Sequence, residues 1–173
     1  SRHVDSHGLE PVPGAPRAFD QLRHDDQTAA AVATGAWSAS ARLKLRHAGI
    51  DAEGVPFASS DDALSRAHVI RAAIRRASES GDAFERIVYV GDEVWDVRAA
   101  ARLNLPFVGV GTGDRGGRLR GHGASHVVPD YEDPAAFRAA LDEATPPRPP
   151  TIRVFIENEA GSDTKNIHDE KTL

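Results

Sequence analysis

Short apolar runs alternate with longer amphipathic stretches along most of the 173-residue chain. The runs that predict β-strands span residues 28–33, 55–58, 86–90, 106–110 and 125–128. Apolar side chains spaced three or four residues apart predict α-helices over residues 15–23, 39–48, 65–77, 94–103 and 134–143. A glycine-rich stretch, residues 115–120, is expected to hold one short turn of helix. Strands that alternate with helices in this way indicate right-handed βαβ units.

The pattern therefore predicts an α/β fold with a doubly wound, Rossmann-like parallel sheet. The stretch from Ile87 to Val90 is apolar on both faces of the strand, as expected when helices cover both sides of a sheet. Ligands of such sheets bind beyond the carboxyl ends of the strands. The residues that directly follow each apolar run are therefore the candidates for a functional site.

Proline marks the expected domain boundaries. Residues 11–14 read Pro-Val-Pro-Gly, and four prolines fall within residues 145–150, which predicts a semi-rigid linker. We expect residues 1–12 to be the end of a helical segment, residues 13–144 to form the core, and residues 151–173 to begin a second domain. The chain contains no Met, and we expect it to be a piece of a longer protein.

The composition of the chain limits which kinds of partner it is expected to bind. The net charge of −5 disfavours nucleic acid as a partner bound through a broad basic surface. No run of roughly 18 apolar residues is present, so a membrane span is not predicted. The absence of Cys excludes disulfides and thiolate zinc sites. We therefore expect a cytoplasmic protein whose partners include neither nucleic acid nor a membrane.

The strongest chemical signal is the stretch Val90-Gly91-Asp92, which is followed by Asp96 four residues later. Asp92 should lie at the carboxyl edge of the sheet, and Asp96 should lie one helical turn further, so that both carboxylates face one point. Two hard oxygen ligands that leave positions open for water and phosphate suit Mg²⁺. The competing interpretation is that Asp92 only caps the helix.

Two further polar groups follow predicted strands. Thr34 and Gly35 end the first run, where a hydroxyl and the next backbone N–H groups would hold a phosphoryl oxygen near the start of the following helix. Arg66 follows Ser65, a predicted helix cap, and would place a cation at the first helical position. Taken singly, Thr34 is also explained as a helix cap and Arg66 as a solvated surface residue.

The order and spacing of these elements resemble phosphatases of the haloacid dehalogenase (HAD) superfamily. The second motif of that family is a strand that ends in Thr or Ser, the third is a basic residue that opens a helix, and the fourth is Gly-Asp-x-x-x-Asp. Thr34, Arg66, Asp92 and Asp96 match these motifs. The surroundings, such as Asp96-Val97-Arg98-Ala99-Ala100, resemble the phosphoglycolate-phosphatase branch.

The sequence departs from the family pattern in two ways. The basic residue is Arg66, whereas the family usually has Lys at this point, and Arg has a wider, forked head that keeps its proton. The first motif of the family, a strand that ends in Asp-x-Asp, is not found before Thr34. The resemblance therefore implies that the first strand of the sheet and most of a cap domain are missing from this sequence.

The resemblance implies Mg²⁺-dependent hydrolysis of a small phosphorylated metabolite through an aspartyl-phosphate. The attacking Asp would lie upstream of Ser1. Thr34 and Arg66 would act on the phosphoryl group together with Gly35, and Asp92 and Asp96 would bind the metal. The alternatives that remain are a non-catalytic HAD-like module and a phospho-receiver-like regulatory module.

The last 23 residues resemble the opening of a soluble inorganic pyrophosphatase. A strand there carries Glu157, and a Gly-Ser turn leads to Lys165. The resemblance implies a second phosphate-releasing domain in which Lys165 contacts phosphate, so that the parent protein would be a fusion of two such enzymes.

Overall fold

A computed structural model describes residues 11–79, 81 and 83–148. The predicted end of a cap before residue 11, and the pyrophosphatase-like tail with Glu157 and Lys165, lie outside the described residues. Within them the chain is an α/β structure whose strands are all parallel. The predicted fold class is confirmed.

Each strand falls within one residue of a predicted apolar run. The strands are β1 (Val32–Ala33), β2 (Phe57–Ala58), β3 (Tyr89–Gly91), β4 (Phe107–Val110) and β5 (His126–Val128). The helices are α1 (Ala15–His24), α2 (Ser38–His47), α3 (Arg66–Ser78), α4 (Val94–Leu103), α5 (Gly113–Gly121) and α6 (Pro134–Glu143).

The glycine-rich stretch forms more helix than the sequence predicts. Residues Gly113–Gly121 make a helix of nine residues instead of one short turn. Gly116 is buried on this helix, and a Cβ added to it would lie 2.6 Å from the carbonyl oxygen of Gly111. Leu119 is also buried. Close packing against the preceding loop therefore outweighs the poor helix propensity of glycine.

The strands form two parallel sheets instead of one continuous ladder. One sheet pairs β1 with β2, with Val32 opposite Phe57, and the other has the order β3-β4-β5, with Val90 opposite Val108. Among the residues that the structure describes, β1 and β3 each pair on one edge only. Both are only partly buried, whereas every residue of β2 and β4 is buried.

Helices α3 and α4 join the two sheets. Ala67 and Ile70 of α3 and Ala99 of α4 form a buried cluster. Ala33 of β1 and Tyr89 of β3 both pack against this cluster. The two strands that lack a partner on one edge, β1 and β3, therefore lie against the same buried cluster.

Residues 145–148, the described part of the predicted linker, lie against the core. The carbonyl oxygen of Thr145 accepts a hydrogen bond from the N–H of Phe107, and the N–H of Arg148 donates to the carbonyl of Gly123. The described helices include none that is long and apolar enough to cross a membrane.

Candidate functional site

A cleft of about 450 Å³ opens at the carboxyl ends of β1 and β2. Its walls combine polar groups with apolar side chains: Thr34, Gly35, Ala36, Ser60, Leu64, Arg66, Val69 and Trp95. The side chains of Leu64 and Trp95 are largely exposed. Three of the residues predicted from the sequence, Thr34, Gly35 and Arg66, therefore come together in one cleft.

Thr34 lies directly after β1. Its N–H donates to the carbonyl of Ala58, which continues the pairing of β1 with β2, and its Oγ1 accepts a hydrogen bond of 3.2 Å from the N–H of Ala36. This is a local turn of the kind that Ser and Thr hydroxyls favour. Thr34 is not the cap of α2, because the N-cap residue is Trp37. Its hydroxyl proton stays available to a ligand in the cleft.

Arg66 is the first residue of α3, and the side chain of Ser65 caps that helix by accepting from the N–H of His68. The Arg66 Nε lies 2.9 Å from Asp96 Oδ1. A Cβ added to Gly35 would lie 3.2–3.3 Å from the guanidinium atoms, so the glycine lets the cation lie against the backbone after Thr34. No described residue accepts a hydrogen bond from either Nη atom of Arg66.

Asp96 is buried, with 3% of its surface exposed. Its Oδ1 accepts a hydrogen bond of 2.8 Å from the Tyr89 hydroxyl and forms the ion pair with Arg66, and its Oδ2 accepts a hydrogen bond of 3.2 Å from the N–H of Glu93. Burial, together with the neighbouring Asp96 carboxylate, raises the pKa of Tyr89, so that its hydroxyl remains a donor. Asp96 therefore holds the Nε of Arg66 in an ion pair, and it also forms the capping box of α4 with Glu93.

Gly91 is needed for a different reason from the one its sequence position suggests. A glycine directly after an apolar run suggests a sharp exit from the strand, but Gly91 does not have the positive φ that would require glycine. A Cβ at this position would lie 2.6 Å from the Asp96 Cβ and 2.9 Å from its Oδ2. The glycine therefore makes room for the buried carboxylate.

Asp92 also lies at the carboxyl end of β3, but its side chain is much more exposed than that of Asp96. Its side chain is 51% exposed, and its Oδ2 lies 3.3 Å from the Nη1 of Arg115. Asp92 does not cap α4, because the N-cap residue is Glu93. Sequence patterns did not predict Arg115 as a site residue, since its position relative to Asp92 depends on how α5 packs against α4 and β4.

Two loops that flank the cleft are tied together by hydrogen bonds. Ser60 Oγ donates to the carbonyl of Gly35 at 2.6 Å, and the Ser60 N–H donates to the carbonyl of Ala36. The Asp61 carboxylate accepts a hydrogen bond of 2.9 Å from the N–H of Ser38. Asp61 thus already accepts a hydrogen bond from the first N–H of α2. This N–H is not free to bind a phosphoryl oxygen, so the predicted contribution of the helix N-terminus to phosphate binding is reduced.

The acidic pair fits a divalent cation in part. The Asp92 carboxylate is open and offers the hard oxygen ligands that Mg²⁺ prefers. Both oxygens of Asp96 already accept hydrogen bonds. Groups of three or more acidic or His side chains that could hold a metal are absent from the residues that the structure describes. The assignment of Asp96 as a second metal ligand stays a prediction.

Comparison with known proteins identifies the family and supports the fold. The haloacid dehalogenase-like hydrolase family matches residues 1–110. A crystal structure of a hydrolase from Pseudomonas syringae is similar, with 26% sequence identity and a TM-score of 0.60. The similarity covers 78% of this chain and 61% of that one, so the chain spans about three-fifths of the length of that protein. No curated protein matched the sequence. The chain belongs to the haloacid dehalogenase-like hydrolase family.

Proposed function

We propose that the chain carries the phosphate-holding and metal-holding part of a Mg²⁺-dependent phosphomonoesterase. The observation that carries the proposal is the placement of Arg66. Its Nε is held by the buried Asp96, and its two Nη atoms lie against Gly35 in the cleft beside Thr34. A guanidinium held in this way presents its remaining donors in the fixed fork that suits phosphate oxygens.

The roles of the residues follow from their contacts. Arg66 binds and orients the phosphoryl group and neutralises its charge, while the Thr34 hydroxyl donates to a second oxygen. Asp96 is a positioning residue that acts through Arg66. Asp92 would hold Mg²⁺, which when bound supplies further positive charge to the phosphoryl group. These roles leave the attacking group to be assigned.

The attacking Asp is proposed to come from a segment upstream of this sequence. None of the eight residues that line the cleft carries a carboxylate. Asp61, Asp92 and Asp96 each have a partner already: the N–H of Ser38, Arg115 and Arg66, respectively. A strand that ends in Asp-x-Asp and pairs with the free edges of β1 and β3 would bring its carboxylates to the same end of the molecule.

The proposed substrate is a small phosphorylated metabolite, as for the phosphoglycolate-phosphatase branch. The cleft volume of about 450 Å³ is within the range of small-molecule sites. A non-catalytic phosphate-binding module is the second candidate, favoured by the lack of a carboxylate in the cleft lining. Both candidates require Arg66 to bind phosphate, and only the first requires turnover once an attacking Asp is supplied.

Titration with inorganic phosphate tests the shared requirement. Arg66→Gln should weaken phosphate binding by roughly tenfold or more, because charge-assisted hydrogen bonds contribute about 1.5–3 kcal/mol. Arg71→Gln is the matched control, since Arg71 lies on the same helix with its side chain exposed. Arg66→Lys keeps the charge beside Asp96 and guards against loss of fold, which circular dichroism would monitor. Unchanged phosphate affinity in a folded Arg66→Gln protein would contradict the proposal.

A further inference from the structure

The Asp92 carboxylate faces a cation that belongs to the protein itself. Nη1 of Arg115 lies 3.3 Å from Asp92 Oδ2, and Nη2 lies 4.0 Å from an oxygen of Glu93. The side chains of Asp92 and Arg115 are each about half exposed. The guanidinium therefore lies between two carboxylates at the carboxyl end of β3.

The direction of the Arg115 side chain is set by packing. Arg115 lies in the first turn of α5, and its stem runs past Gly111 at the end of β4. A Cβ added to Gly111 would lie 2.9 Å from both the Cγ and the Cδ of Arg115. The glycine leaves the space in which the methylene groups lie, so the charged end is directed towards Asp92 instead of into bulk solvent.

We propose that Arg115 competes with the metal ion for Asp92 and thereby sets the metal affinity of the site. The inference rests on the proposed function, in which Asp92 holds Mg²⁺. Arg115 already pairs with Oδ2 of Asp92, the open member of the acidic pair, and a divalent cation on either oxygen of this carboxylate would place a second positive charge beside the guanidinium. Metal binding must therefore break or loosen the Arg115 pair, and the free energy of that pair is subtracted from the free energy of metal binding.

The exposure of the Asp92–Arg115 pair sets the expected size of its effect on Mg²⁺ affinity. Half-exposed ion pairs contribute little, so removal of the Arg115 charge should tighten Mg²⁺ binding about two- to fivefold at low ionic strength. Salt screens exposed charges, with a Debye length of about 10 Å at 0.1 M. The gain should therefore shrink as KCl is added.

The test is a Mg²⁺ titration of the full 173-residue chain, followed by the amide NMR shifts of residues 91–96 at constant ionic strength. Arg115→Gln keeps most of the methylene stem and should bind Mg²⁺ more tightly, whereas Arg115→Lys keeps the charge and should bind like the wild type. Arg118→Gln is the matched control, because Arg118 is an exposed residue of the same helix whose side chain makes no ion pair with a described residue. Asp92→Asn should abolish the response.

The outcomes separate this inference from the proposed function. If Asp92→Asn abolishes the Mg²⁺ response but Arg115→Gln leaves the affinity unchanged or weakens it, competition is wrong and the metal assignment stands. If Asp92→Asn leaves the Mg²⁺ response intact, the metal assignment fails and the inference fails with it. An equal gain from Arg115→Gln and Arg118→Gln would indicate a general charge effect and would also overturn the inference.

Discussion

At the scale of single residues, the Asp96 carboxylate is the most constrained group of the site. It is buried, its two oxygens accept hydrogen bonds from Tyr89 and the backbone of Glu93, and it forms an ion pair with Arg66. A buried charge without such partners would be strongly destabilising. The sequence predicted Asp96 as one of two similar carboxylates, but the tertiary contacts give it different surroundings from those of the exposed Asp92.

Tyr89→Phe should lower the free energy of unfolding by about 1–3 kcal/mol, because it removes a hydrogen bond to a charged, buried acceptor. Tyr131→Phe is the matched control. Tyr131 is also partly buried, burial raises its pKa to about 12, and its hydroxyl makes no hydrogen bond with a described residue. Its replacement should change stability by less than about 0.5 kcal/mol. Urea denaturation of both variants is the measurement, and equal losses would contradict the role given to Tyr89.

At the scale of elements, the turn from β3 into α4 and the loops around the cleft position the site. The capping box between Glu93 and Asp96 starts α4 directly after the strand, with Gly91 packed against Asp96. On the other side of the cleft, Ser60 and Asp61 tie the loop after β2 to the loop after β1. The geometry of the cleft therefore depends on contacts between loops that are 20 or more residues apart in sequence.

Gly91→Ala should destabilise the protein by about 1–3 kcal/mol, the usual cost of overpacking, because its Cβ would collide with Asp96. The displaced carboxylate should also loosen Arg66 and weaken phosphate binding. Gly117→Ala is the opposite control, since no atom lies within 4 Å of its added Cβ and the site is helical. That change should raise the free energy of unfolding by about 0.5–1 kcal/mol. The steric account of Gly91 would be wrong if thermal unfolding ranked the two variants equally.

At the scale of the whole molecule, the fold consists of two parallel sheets joined through α3 and α4. The edges of β1 and β3 that lack a partner among the described residues carry backbone N–H and C=O groups that a further strand would satisfy. The side chains of both strands are only partly buried, which indicates that the helices do not fully cover β1 and β3. Edges of this kind promote association between chains.

We therefore expect the 173-residue chain alone to associate at high concentration. On the proposed function its attacking Asp lies upstream, so this chain should release no phosphate from small phosphomonoesters, because a covalent mechanism has no reaction path without its nucleophile. The natural protein extended upstream to an apolar strand that ends in Asp-x-Asp should be monodisperse and should show Mg²⁺-dependent turnover. Phosphate release and light scattering, measured side by side, are the tests. Robust turnover by the 173-residue chain would mean that its nucleophile is among the residues present here.

Sequence patterns predicted the positions of the strands and five of the six helices, because apolar periodicity and capping residues act locally. They underestimated α5, since only packing of Gly116 against Gly111 reveals why a glycine-rich stretch becomes helical. The candidates Thr34, Gly35 and Arg66 were also found from sequence. Thr34 and Gly35 directly follow an apolar run, Arg66 opens the helix after the next run, and parallel strands bring such positions to one edge of the sheet.

What only the tertiary structure decided is how these groups pair. That Arg66 is held by Asp96, that Asp92 faces Arg115, and that Asp61 satisfies the first N–H of α2 all depend on contacts across 20 or more residues. Such pairing depends on helix packing and loop geometry, which local spacing does not encode. The division of the sheet into two parts was likewise decided by hydrogen-bond partners, and apolar runs alone carry no information on which strands pair.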